Sequence, residues 1–96
     1  MENKFDIGSF VNVSTEQSIT QALVKRFKKR RKAYGLTQQE LSVKSGVSYG
    51  SIRRFESSGD ISLHALLKIS AAVDSLEDFS QLFGSFVMKD LKDYHV

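Results

Sequence analysis

The sequence predicts an all-α domain built from five helices. Three observations carry that prediction. Serine and threonine stand at cap positions before apolar residues spaced three and four apart. Glycines close several of those runs. No convincing interior strand interrupts them, because period-two alternation occurs only near the N-terminus.

The first helix is announced by two S-x-x-Q patterns, Ser14–Gln17 and Ser18–Gln21, each a capping-box signature. It is expected to run to about Tyr34 on an apolar stripe of Ile19, Leu23, Phe27 and Tyr34. Arg31 falls on that stripe, where the period asks for an apolar residue. Gly35 suits the left-handed residue that follows a helix. Thr37 caps a second helix, with Glu40 completing its capping box and Leu41 facing inward. Ser42 is small enough for a close helix contact, and Gly46 ends the run. Val47 then lies in the core, and Ser48 caps a third helix anchored by Ile52 and Phe55. Residues 57–60 read as a loop. Ser62 opens a fourth helix with the stripe Leu63, Leu66, Ile69 and Val73. A fifth, from about Ser75, carries Leu76, Phe79, Leu82 and Phe83, with Gly84 at its end.

This divides the chain into an N-terminal extension (1–18), a helical domain (19–83) and a C-terminal tail (84–96). Phe5, Ile7, Val11 and Val13 hint at an extended segment, interrupted by Gly8 and Phe10. The tail, "SFVMKDLKDYHV", fits strand or helix equally well. The apolar residues of both ends are candidates for a dimer surface or for completing the monomer's core.

The totals narrow the function. Ninety-six residues favour one domain, and a hydrophobic content of 41% is ordinary for a folded one. There is no cysteine, so no disulfide, thiol nucleophile or cysteine-based zinc site exists. Two histidines, His64 and His95, make a metal site a poor expectation, and no cofactor is expected. No apolar run reaches the roughly 20 residues that cross a bilayer, and the N-terminus does not read as a secretory signal. A cytoplasmic protein without membrane partners is expected.

The net charge of +3 conceals its distribution. Residues 25–54 carry +9, between flanks of −2 and −4. A basic block between acidic flanks suits a polyanion partner, although a solvated helix face would look the same.

Two short helices joined by a glycine turn form a helix-turn-helix. Gly46 supplies the positive φ that the turn needs. Ser48 leaves backbone N–H groups at a helix N-terminus, which suits phosphate. With Ile52 and Phe55 inward, Tyr49, Gly50, Arg53 and Arg54 lie on other sides of the third helix. Two arginines there can offer paired donors to guanine edges or to phosphates. Tyr49 can give a hydroxyl hydrogen bond or pack on a thymine methyl. Gly50 costs a helix about 1 kcal/mol, which a close approach to DNA or to another helix would justify.

The stretch "GLTQQELSVKSGVSYGSIRRFESSGDISLHALLKIS" resembles the Cro/C1-type (xenobiotic-response-element) helix-turn-helix family. The resemblance rests on Leu36-Thr37-Gln38, Glu40-Leu41, Gly46-Val47-Ser48, Ile52, Glu56, Gly59 and the leucine-rich fourth helix, and spans about residues 20–83. It implies a five-helix lambda-repressor-like DNA-binding domain with the helix-turn-helix at helices two and three. Two departures stand out: Ser42 where the family often has alanine, and Gly50 where it often has a larger polar residue.

By the resemblance, Gln38 would bind a DNA phosphate and Ser48 would help anchor the backbone. Tyr49, Gly50 and Arg54 fall where the family reads bases, and Arg53 is a lateral candidate for base or phosphate. Lys44 and the block Lys28–Lys32 would add sequence-independent affinity. Arg31 is read as structural. Glu56 lies one helical step past Ile52, so two opposite charges on apolar stripes should pair. The family resemblance suggests the same bridge.

The remaining polar groups point to no chemistry. His64 reads as a helix-surface residue, and Glu77-Asp78 suits a helix start. Phe79, Phe83 and Phe86 read as core or as an oligomer contact. No catalytic constellation is visible, so an enzyme is not expected. A basic helix on an acidic membrane is also disfavoured, because the first helix needs its apolar stripe for the core.

The leading expectation is a sequence-specific double-stranded-DNA-binding regulator, a repressor acting as a homodimer. The alternative is an antitoxin. The run "RRFESSGDISLHALLKIS" with "DSLEDFSQLF" resembles helix-turn-helix proteins of the HipB type, which accompany HipA-like kinase toxins. A toxin protein would then be a second partner.

Overall fold

The structure, a computed structural model, describes residues 13–85. Four α-helices follow one another: α1 (Glu16–Ala33), α2 (Gln38–Ser45), α3 (Tyr49–Ser58) and α4 (Leu63–Ala72). A single 3₁₀ turn, Leu76–Phe79, comes after them. Every regular element among the described residues is helical.

Side-chain caps explain where the helices begin. Thr15 caps α1, accepting from the Ser18 N–H at 3.0 Å while the Ser18 hydroxyl accepts from the Thr15 N–H at 3.0 Å. The box is therefore Thr15 with Ser18, not Ser14 or Ser18 with a glutamine. Ser18 occupies the third helical position, so it answers a cap rather than making one. Thr37 and Glu40 form the same reciprocal box at α2. Ser48 and Ser62 cap α3 and α4.

The core consists of Val24, Phe27, Leu41, Val47, Ile52, Phe55, Ile69, Ala72 and Val73. Phe27 of α1 meets Phe55 of α3 edge to face, with ring centroids 5.5 Å apart. α2 packs on both α3 and α4.

Two stripes differ from the sequence reading. On α1 the inward line starts from Thr20 and Val24 rather than Ile19 and Leu23, then runs through Phe27 and Arg31 as expected, while Tyr34 is exposed. Val24 and Phe27 are buried, Leu23 is half-buried at the flank, and Ile19 is exposed. This line packs against Gly59, where a Cβ would meet the Thr20 methyl and Val24. On α4, Ile69 and Val73 are buried and Leu66 packs against the core, but Leu63 is exposed in the first turn.

Two element boundaries also differ. α3 continues through Ser57 and Ser58, whose hydroxyls donate back to the Arg54 carbonyl at 3.2 and 2.8 Å. The turn starts only at Gly59, with φ 83°. The fifth helix is reduced to the 3₁₀ turn. Its backbone bonds run from i to i+3 at Ser80, Leu82 and Gly84. Phe83 takes φ 64°, which no α-helix continues through. Leu82 and Phe83 are exposed, so no apolar contact fixes a longer helix there. Phe83 is consequently not a core residue. The apolar positions expected at the two ends, other than Val13, lie outside the described residues.

Candidate nucleic-acid interface

The corner between α2 and α3 is held from within. Gly46 adopts φ 79° and its N–H donates to the Ser42 carbonyl at 2.9 Å. The Ser42 hydroxyl crosses the turn to donate to the Val47 carbonyl at 2.6 Å. Alanine at that position could not make this bond, so the serine adds a staple. Val47 is buried beneath. Together these contacts fix the angle at which α3 leaves the turn.

The orientation of α3 follows from its buried side. Ile52, Phe55 and Glu56 are buried, leaving Tyr49, Gly50, Arg53 and Arg54 exposed. Gly50 has open space where a Cβ would stand, so no neighbouring helix requires a glycine there.

Arg31 and Glu56 lock α1 to α3. Arg31 Nε donates to Glu56 Oε2 at 2.8 Å and Nη2 donates to Oε1 at 2.9 Å. Nη1 donates to the Leu36 carbonyl at 2.8 Å. Each charge thus has a partner in geometry suited to a buried pair. Gln38 joins the set: its Nε2 donates to Glu56 Oε1 at 2.9 Å. This holds the first residue of α2 at the edge of the corner.

A cleft of about 490 Å³ opens at this junction. Lys28, Gln38, Gly50, Arg53 and Arg54 all border it. A larger groove of about 930 Å³ along α1, bordered also by Lys25, Lys29 and Lys32, shares Lys28, Glu56 and Ser57 with it. Four lysines of α1 and both arginines of α3 therefore border neighbouring clefts, while Arg31 is buried against Glu56.

Three expected site residues stand apart from the cleft lining. Lys44 sits at the end of α2 with its ammonium 5.8 Å from the centroid of the Tyr34 ring. Tyr49 lies at the start of α3, with the Arg53 guanidinium 5.6 Å from its ring centroid. The Ser48 hydroxyl is engaged within α3, accepting from the Ser51 N–H at 3.1 Å and donating to Ser51 Oγ at 2.8 Å.

Sequence spacing did not reveal two further groups. Asp60 approaches Arg54, with Oδ2 3.6 Å from Nη1. Tyr34 donates its hydroxyl hydrogen to Asp74 Oδ2 at 2.9 Å. That bond pushes the Tyr34 phenol above its ordinary range, aided by desolvation and the Asp74 charge and opposed by Arg30. Asp60 lies just past the end of α3 and Asp74 40 residues beyond Tyr34, and helical period carries no information at either place.

The family described as helix-turn-helix matches residues 27–79, more than half of the chain. The protein belongs to this Cro/C1-type helix-turn-helix family. Its fold and family are those of DNA-binding transcription regulators. No curated protein and no solved structure gives a significant match. Among the described residues, no helix is long and apolar enough to cross a membrane.

Proposed function

We propose that the protein is a sequence-specific repressor that binds double-stranded DNA as a homodimer in the cytoplasm, with α3 in the major groove. One observation supports this most: Lys28, Gln38, Gly50, Arg53 and Arg54 surround a single cleft at the corner of the helix-turn-helix. Arg54 and Tyr49 read base edges, and Gly50 lets the α3 backbone come close. Arg53 serves base or phosphate. Lys28, Gln38 and Lys44 meet phosphates, and Ser48 contributes by holding the first turn of α3. Arg31 and Glu56 keep the corner rigid and take no part in reading. No catalysis is assigned to the chain.

A homodimer is favoured because one short helix reads only a half-site, and symmetry doubles the contacts. The exposed Leu76, Leu82 and Phe83 supply apolar surface for a protein contact. The same surface favours, as a second reading, an antitoxin that also restrains a HipA-like kinase. Co-purification with a kinase encoded beside it distinguishes that role.

The test is a binding titration with a labelled random-sequence duplex at several salt concentrations. Affinity should fall steeply with salt, and Lys28→Ala should reduce the log–log slope by about 0.9. Absent or salt-independent binding would remove the DNA reading.

A further inference from the structure

The corner after α3 places an acid beside a proposed base reader. Gly59 ends α3 in the left-handed conformation, and the chain then presents Asp60 to Arg54 at 3.6 Å. The two side chains are 71% and 72% exposed for Arg54 and Asp60 respectively. A pair that open adds little to stability. Asp60's hydrogen bond to Ser58 Oγ, at 3.3 Å, is made by its backbone N–H. The carboxylate therefore has Arg54 as its partner among the described residues. An acid on a surface that faces a polyanion opposes binding, so its effect belongs to the recognition step rather than to the fold.

We propose that Asp60 is a specificity-determining residue: an internal counter-charge that keeps Arg54 off phosphates in non-specific complexes. The inference rests on the DNA-binding reading. Non-specific affinity comes almost wholly from phosphate neutralisation and the counterions it releases. An arginine already paired with Asp60 adds no net charge to that process. A base edge makes a different demand. Guanine presents O6 and N7 as two aligned acceptors, which a guanidinium meets with two parallel bonds. Arg54 faces Asp60 with one terminal nitrogen and keeps other N–H donors for such an edge. Asp60 thus weakens binding to the wrong sequence more than binding to the right one. Among the described residues Arg53 has no such counter-charge and lies beside the Tyr49 ring instead.

The experiment compares the full chain with Asp60→Asn, Arg54→Ala and the double variant, titrating a random-sequence duplex across a salt series. Asp60→Asn should bind roughly two- to fivefold more tightly, the range of an exposed charge pair. Its log–log salt slope should steepen by about 0.9, as Arg54 takes one more phosphate. In the Arg54→Ala background the same substitution should leave the slope unchanged. An unchanged slope in Asp60→Asn overturns the proposal. An equal gain with and without Arg54 overturns it too, since Asp60 would then be general surface charge. If the unmodified protein shows no salt-dependent binding, the DNA-binding reading itself fails and this proposal falls with it.

Discussion

Arg31 and Glu56 meet through two parallel hydrogen bonds of 2.8 and 2.9 Å, joining the last turn of α1 to α3. Both residues are buried, and the Gln38 amide donates to the same carboxylate. Removing one partner leaves a buried charge with no compensation. Glu56→Ala should therefore destabilise the fold by about 3–5 kcal/mol, measured by urea unfolding. Replacing both by apolar residues of similar volume, as in Arg31→Met with Glu56→Leu, should cost far less. A loss within about 0.5 kcal/mol for Glu56→Ala would contradict burial of the pair.

Gly50 separates stability from recognition. It sits in the first turns of α3 with open space around its missing Cβ. Gly50→Ala should stabilise the fold by up to about 1 kcal/mol, the helix-propensity difference. Its affinity for duplex DNA should nevertheless fall, because the methyl stands where the groove comes close. A gain in both would place Gly50 away from the DNA.

Gly46 and Gly59 share a left-handed backbone but not the same surroundings. Nothing stands near a Cβ at Gly46, so Gly46→Ala should cost about 1–2 kcal/mol, the backbone strain alone. At Gly59 a Cβ would collide with the Thr20 methyl. Thr20 cannot rotate away without losing the bond from its hydroxyl to the Glu16 carbonyl, 2.8 Å long. Gly59→Ala should cost more than Gly46→Ala, and Thr20→Ser, which deletes the methyl, should recover the excess. Equal melting temperatures for the two alanine variants would contradict this contact.

Tyr34 predicts an alkaline limit. Its phenol is raised because the Asp74 carboxylate accepts its hydrogen. The neutral form is favoured in the folded state, so this stabilisation is complete below the unfolded value of about 10. It disappears as pH rises through the higher folded value. Melting temperature should decline across that window, and Tyr34→Phe should flatten the decline. Identical profiles would place the Asp74 contact outside the stable fold.

Much of this architecture can be read from local chemistry. Thr37 with Glu40, Gly46, Val47 and Ser48 each obey a rule that needs only their neighbours in sequence. The inward charges Arg31 and Glu56 stand out because each breaks an apolar stripe at a core position. What could not be read depends on distant contacts. Thr20 and Val24 pack against Gly59, 39 residues beyond Thr20, so Ile19 could not be told from Val24 by spacing. The run after Ser75 has helical spacing, but Leu82 and Phe83 find no surface to bury against among the described residues. The Arg54–Asp60 contact crosses a helix end, where the helical period stops.

The most direct test of the account is selection of sites from a random duplex library by the purified protein, repeated with Arg54→Ala. A palindromic motif is expected, with a half-site spacing that reflects a twofold dimer. Arg54→Ala should relax one motif position, at a cost of about 1–3 kcal/mol in specific binding. Enrichment of no motif, or a motif that Arg54→Ala leaves unaltered at every position, would contradict α3 as the reader.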